Sequence, residues 1–249
     1  MTIYNINNNG DFMDLQQVLS LTRKCIDKYN LIDDGDKIAV SCSGGKDSIT
    51  LAVALNALKR FYPHRFDLIA ISIDLGFDNV KYGDLERFFD TLGIEFHIVK
   101  TDIGEIVFKT RNETNPCSLC SKMRKGAINP FAKSLGCNKI ALGHNKDDLI
   151  ETMLMSLIYE GRINTFKAMS YLDRTDITVI RPLLFIDECD VQGFANSYPL
   201  PVIKSKCPAD GNTKREYAKN LMMKLDYENK GAKKSLFNAC LQYLDKEIK

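Results

Sequence analysis

The sequence has no long apolar run: nowhere do roughly 18 consecutive apolar residues occur, the length that a membrane-spanning helix needs, so no membrane partner is expected. Its start, MTIYNINNNGDFMDL, is polar and Asn-rich and lacks the basic-then-apolar layout of a secretory signal. A cytoplasmic protein is the expectation. Charge of one sign is scarce as well, and a net +2 over 249 residues does not by itself announce a nucleic-acid binder. Internal repeats and low-complexity tracts are absent. The Walker pattern G-x-x-x-x-G-K-S/T is missing too, so γ-phosphoryl transfer by that apparatus is not indicated.

What is present begins with a 45% hydrophobic content, enough for a full core without covalent staples. Eight cysteines, in a reducing compartment, point to core filler, metal ligands or catalysts rather than disulfides. The charge is unevenly spread. From Lys204 to Lys249 there are eleven Lys/Arg against six Asp/Glu, a local +5 that leaves −3 for the rest. That basic quarter is a candidate surface for a polyanion.

Apolar residues at helical spacing predict a helix over 13–29, ended by the turn residues IDDGDK. Short β-rich runs at 37–42, 67–74, 95–99, 138–142 and 177–181 alternate with helical patterns at 47–60, 80–92, 119–135, 147–160 and 187–197. Strands such as DLIAISID and KIALG are nearly continuous apolar runs, as expected when both sheet faces are covered. The fold class expected is α/β, a doubly wound, mainly parallel sheet with a helical C-terminal appendage. Its expected segments are an N-terminal helical stretch (1–30), a nucleotide domain (31–207) and a basic tail (208–249). Ligands in such sheets bind beyond the carboxyl ends of the strands.

The stretch Ser43-Gly44-Gly45-Lys46-Asp47-Ser48 follows the first predicted strand and opens a helix. Two glycines let backbone approach a ligand, and a helix N-terminus offers unpaired amides and a positive dipole end. With Lys46 as cation and Ser43 and Ser48 as hydroxyl donors, this is a cradle for pyrophosphate. Lys46 and Asp47 are the catalytic candidates. ALGHNKDDLIE repeats the strand-turn-helix layout with Gly143, His144, Asp147, Asp148 and Glu151. Its carboxylates either complement the helix dipole or, facing a triphosphate, hold Mg²⁺.

Cys117 and Cys120 form C-x-x-C at a helix start, followed by Lys122, Arg124 and Lys125, electrostatics that favour thiolate. Alone the motif fits a redox pair, half a zinc site or part of an iron–sulfur site. Cys207 follows an expected short strand among Lys204, Ser205, Lys206 and Pro208, surroundings that do not suit a core residue. Cys25, Cys42, Cys137, Cys189 and Cys240 have no partner spacing and read as structural.

SGGKDS after a first strand resembles the PP-loop of the N-type ATP pyrophosphatases, enzymes that cleave ATP between the α and β phosphates. The resemblance implies adenylation of a substrate oxygen. It also implies ATP or Mg²⁺ roles for Gly143, His144, Asp147 and Asp148, and makes Asp74, closing IAISID, the expected neighbour of the adenosine. From about Thr22 to Tyr243 the chain is similar to the tRNA 2-thiocytidine synthetases, which act on cytidine 32 of the anticodon loop. The matching segments are YNLIDDGDKIAVSCSGGKDS, PCSLCSKMRKG, KIALGHNKDD, VIRPL and the surroundings of Cys207. That similarity implies a 4Fe-4S cluster on Cys117, Cys120 and Cys207, with one iron left to hold sulfide. It further implies tRNA as substrate and a cysteine desulfurase or other sulfur donor as partner. A homodimer is possible, one subunit's basic tail then serving the other's pocket. Position 204 is Lys, where the family commonly carries a further cysteine. Arg181 of VIRPL, with Lys122, Arg124 and Lys125, is expected along the route of the RNA backbone or the AMP phosphate, or each in a structural salt bridge. Two other readings compete: a PP-loop enzyme forming amides or inserting sulfur into a small molecule, and a zinc-stapled nucleotide-binding module.

Overall fold

The computed structural model describes residues 13–78, 80–111, 116–204, 206–209 and 213–246. Residues 1–12 of the N-terminal stretch, and 210–212 and 247–249 of the basic tail, lie outside the described residues. Helix α1 (Leu15–Tyr29) opens on a reciprocal capping box between Asp14 and Gln17 and closes on Asn30 at φ 47°. The box satisfies amides that a first turn otherwise leaves without partners.

Six strands form one sheet: β1 (Asp36–Ser41), β2 (Phe66–Asp74), β3 (Glu95–Lys100), β4 (Lys139–Ala141), β5 (Met169–Leu172) and β6 (Ile177–Ile180). Their order is β3-β2-β1-β4-β6-β5, parallel except for the pairing of β5 with β6. Helices α2 (Lys46–Leu58), α3 (Gly83–Leu92), α4 (Ile103–Glu105, continued by a π-helical turn over Ile106–Thr110) and α5 (Pro116–Ser134) lie between the early strands. After β4 come α6 (Lys146–Met155, with a π-helical turn over Ser156–Glu160), α7 (Glu188–Ser197), α8 (Lys214–Glu228) and α9 (Ala232–Lys246).

The period-two pattern of the strands divides the interior between the two sheet faces. In β2, Ile69, Ile71 and Ile73 join Ile103, Val107, Ile128 and Ala132 in one buried cluster. Leu68 and Ala70 join the other, with Val18 of α1, Ile49 of α2 and Leu149 of α6. Ala218 and Met222 of α8 and Cys240 and Leu244 of α9 belong to that same second cluster. The C-terminal helices thus share one core with α2, the helix that the loop at 43–45 opens.

Five strands fall where the sequence predicts them, within the end-to-end scatter usual for such boundaries. The sequence gives no sign of β5, an edge strand whose side chains alternate between exposed and half-exposed. The strand expected before Cys207 does not form. Residues 201–204 run as coil beside Pro201, and the Ile203 amide instead donates to the Gly44 carbonyl at 2.8 Å.

Candidate active site

From β1 the sheet builds outward through β2 and β3 on one side and through β4 and β6 on the other. The order therefore reverses between β1 and β4, and a crevice opens at their carboxyl ends. Residues 42–45 leave β1 into that crevice, and residues 142–145 leave β4 into it. The first loop is tied to itself. The Ser48 hydroxyl donates to the Gly45 carbonyl at 2.9 Å and accepts from the Ser43 amide at 3.1 Å, while the Gly45 amide donates to Ser43 Oγ at 3.3 Å. Gly44 sits at φ +79°, and a Cβ there would stand 3.0 Å from the Cβ of Ile203. Gly45 caps α2 without a side-chain hydrogen bond, leaving the first-turn amides for an anion.

Lys46 Nζ lies 3.2 Å from Asp47 Oδ2 and 3.2 Å from Glu188 Oε1. Burial opposes its charge, but the two carboxylates prevail and raise its pKa. Asp47 is held on its other oxygen by Asn145 Nδ2 at 2.9 Å, and Asn145 itself caps α6 in a reciprocal box with Asp148. Asp147, 6% exposed, accepts from the Glu188 amide at 2.7 Å and from Lys233 at 2.7 Å. Arg215 Nη1 reaches Asp148 at 2.9 Å and Glu151 at 3.0 Å, and Lys219 reaches Glu188 Oε2 at 2.7 Å. Asp187 is shared by Lys146 and Lys233. These groups surround a polar pocket of about 210 Å³ on the far side of the α2 N-terminus, lined by Asp47, Asp147, Asp148, Glu151, Glu188 and Arg215 among others. Each carboxylate is matched by a cation or an amide, and among the described residues no three His, Cys, Asp or Glu are grouped to hold a metal ion.

Gly143 is required by close approach: a Cβ there would meet the Asp47 carbonyl carbon and the Ser48 nitrogen at 2.9 Å. Next to it, His144 stacks on Phe166 with ring centroids 4.7 Å apart, and its Nδ1 accepts from Arg181 Nε at 3.1 Å. An arginine can only donate, so the neutral ring carries its proton on Nε2. Burial, then the cations Arg181 and Arg215, push the His144 pKa down to about 3. Arg181 is itself buried, donates Nη1 to the Lys167 carbonyl at 2.6 Å, and has its pKa lowered by burial to about 10. It braces His144 and does not line an open route for phosphate.

A larger cavity of about 380 Å³ opens on the other side of the loop. It brings Ser43, Gly45 and Asp74 together with Cys117, Cys120 and Cys207, and adds Arg124, Lys204 and Lys206. The sequence did not single out Phe77, Tyr82 and Phe108, which complete its wall. Two of them follow the carboxyl end of β2, a position that is a usable signal for ligand contact in such sheets. Glu188 carries no local signal, since it stands 142 residues from the Lys46 it pairs with.

The cysteines depart from expectation at two points. Cys120 is not biased to thiolate: burial raises its pKa, Arg124 opposes this, and Cys207 and Cys117 add to the rise. Cys189 is exposed rather than structural, whereas Cys25, Cys42, Cys137 and Cys240 are buried. Cys117, Cys120 and Cys207 line the same cavity. Three cysteine thiols are a donor set that fits an iron–sulfur cluster. The tail cations depart too. Arg215 and Lys219 face site carboxylates, and Lys214 lies over the Tyr159 ring at 4.6 Å.

The PP-loop domain family matches residues 16–225. A tRNA-cytidine(32) 2-sulfurtransferase of Geobacter sulfurreducens is 34% identical over 92% of this chain and 90% of its own length. One from Pelobacter propionicus is 39% identical over 87% and 81%. Among solved structures, the U34-tRNA thiolase NcsA from Methanococcus maripaludis, with its 4Fe-4S cluster, superposes with a TM-score of 0.74 at 25% identity, covering 93% of this chain and 80% of that one. The glycine loop between β1 and α2, the crevice at the sheet's reversal and these relatives agree: the chain belongs to the tRNA-cytidine(32) 2-sulfurtransferase family of tRNA-thiolating PP-loop enzymes.

Proposed function

We propose that the chain converts cytidine 32 of tRNA to 2-thiocytidine by adenylating its C2 oxygen with ATP and then replacing that oxygen with sulfur. The observation that carries this is the shared cavity, in which the pyrophosphate loop, Asp74 and three cysteines face one space of about 380 Å³. The C2 oxygen attacks the α-phosphorus, the bond to the β-phosphate oxygen breaks, and pyrophosphate is held by the loop amides and Lys46. The carbon, now bearing an AMP ester, accepts sulfide and releases AMP with the original oxygen. Held by Cys117, Cys120 and Cys207, a 4Fe-4S cluster would keep one iron open to carry that sulfide. Asp47 and Asn145 fix Lys46 from behind. Phe77, Tyr82 and Phe108 form the face on which a planar, unstacked base rests. Arg124 and Lys206, on the same wall, neutralise the departing AMP phosphate.

Expression in a host whose own 2-thiocytidine pathway has been deleted, followed by mass analysis of tRNA nucleosides, tests this. The parent chain should restore 2-thiocytidine. Asp47→Ala should abolish it while leaving the iron–sulfur absorbance intact, and Cys207→Ser should abolish both. Unchanged iron content in Cys207→Ser, or no thiolated cytidine with the parent chain, overturns the proposal.

A further inference from the structure

We propose that Glu188 is a positioning residue that parks Lys46, and that Lys219 of α8 sets how readily Lys46 is released to pyrophosphate; this rests on Lys46 being a pyrophosphate ligand, as proposed above. Lys46 sits between two carboxylates at equal distances of 3.2 Å. A polyanion arriving at the same ammonium would meet both at close range, where repulsion between partly buried charges is strong. One contact must therefore give way as pyrophosphate is seated.

The surroundings identify the one that gives. Asp47 is next in sequence and is held by Asn145 at 2.9 Å, so it travels with the loop. Glu188 belongs to another element, the first turn of α7, and is fixed without help from Lys46. Its amide donates to Asp147 Oδ2 at 2.7 Å, and its Oε2 holds Lys219 at 2.7 Å. When Lys46 leaves, Glu188 keeps its place and a cation. Lys46 is the movable member of a fixed frame, and Lys219 is the closer partner of the carboxylate they share. Glu188 and Lys219 lie outside the cysteine-lined cavity and act only through Lys46. Opposed effects follow. Removing the charge of Glu188 frees Lys46, whereas removing Lys219 leaves Glu188 with Lys46 as its principal cation and strengthens that hold.

Titration calorimetry of the 249-residue chain, handled anaerobically with its cluster, against inorganic pyrophosphate reads this directly. Glu188→Gln should tighten Kd, and Lys219→Met should weaken it, each by roughly three- to tenfold for a half-buried ion pair; Lys219→Arg should restore the parent value. A general loss of positive field would also weaken binding in Lys219→Met, so the double variant decides. In the Glu188→Gln background, Lys219→Met should have little further effect. An undiminished effect there, or an unchanged Kd in Glu188→Gln, overturns the positioning role. Lys46→Ala serves as the control: if it binds pyrophosphate like the parent, the assignment of the loop itself fails, and this proposal with it.

Discussion

At the scale of single residues, the carboxylates under the loop carry a pH signature. Glu151 is 4% exposed. Burial raises its pKa to about 7, Arg215 working against the shift and Asp148 adding to it. In the unfolded chain the group titrates near 4.5, so between these values the folded state holds the proton more tightly. Stability from this group is therefore present at low pH and is lost as pH rises through about 7, by up to about 3 kcal/mol. His144 runs the other way. Its folded pKa of about 3 lies below the ordinary 6.5, so its contribution is full above 6.5 and is lost as pH falls. Glu151→Gln imitates the protonated form. It should raise stability at pH 8 while changing it little at pH 4, as measured by urea unfolding at the two values. Equal gains at both would show that the carboxylate is not strained by its burial.

At the scale of elements, the approach of β4's loop to the start of α2 is the tightest constraint on the site. Gly143→Ala puts a methyl group 2.9 Å from backbone atoms of Asp47 and Ser48, neither of which is a flexible side-chain end. The α2 N-terminus must shift, and misplacement of about 1 Å at a reacting centre costs on the order of a hundredfold in rate. ATP-dependent thiolation should fall by about that factor with the circular dichroism spectrum unchanged. This close approach shows why local chemistry was legible and its assembly was not. SGGKDS and ALGHNKDD announce themselves because small residues, a cation and carboxylates crowd into strand-helix turns. The four inner strands, β1, β2, β4 and β6, are legible for a similar reason: burial on two faces leaves an apolar run, and β3, at one edge, still carries the short run FHIV. β5 has only one neighbour in the sheet and no such run. The partners of Lys46 and Arg215 cannot be read locally either, since Glu188 and Asp148 lie 142 and 67 residues away. The local surplus of +5 suggested a polyanion surface, but charge counting along a chain cannot tell a cation facing water from one facing a carboxylate.

At the scale of the whole molecule, that distinction moves the expected RNA contacts. Arg215, Lys219 and Lys233 are matched by acids beside the start of α2, whereas Lys204, Lys206 and Arg124 line the cavity in which the base is proposed to sit. Changing Lys204 and Lys206 together to Ala should lower tRNA affinity and reduce the slope of log affinity against log salt by about 1 to 2, at roughly 0.7 to 0.9 per phosphate contact. Filter binding across a salt series would show this, and an unchanged slope would place the RNA elsewhere. The inward pairing of the C-terminal cations has a kinetic consequence. With three cations of its positive quarter, Arg215, Lys219 and Lys233, turned against its own acids and a net formal charge of +2, the molecule projects little long-range field. A tRNA would then meet it by unsteered diffusion, with an association rate constant of about 10⁵ to 10⁶ M⁻¹ s⁻¹. Salt would act mainly by hastening departure from the cavity rim rather than by slowing arrival.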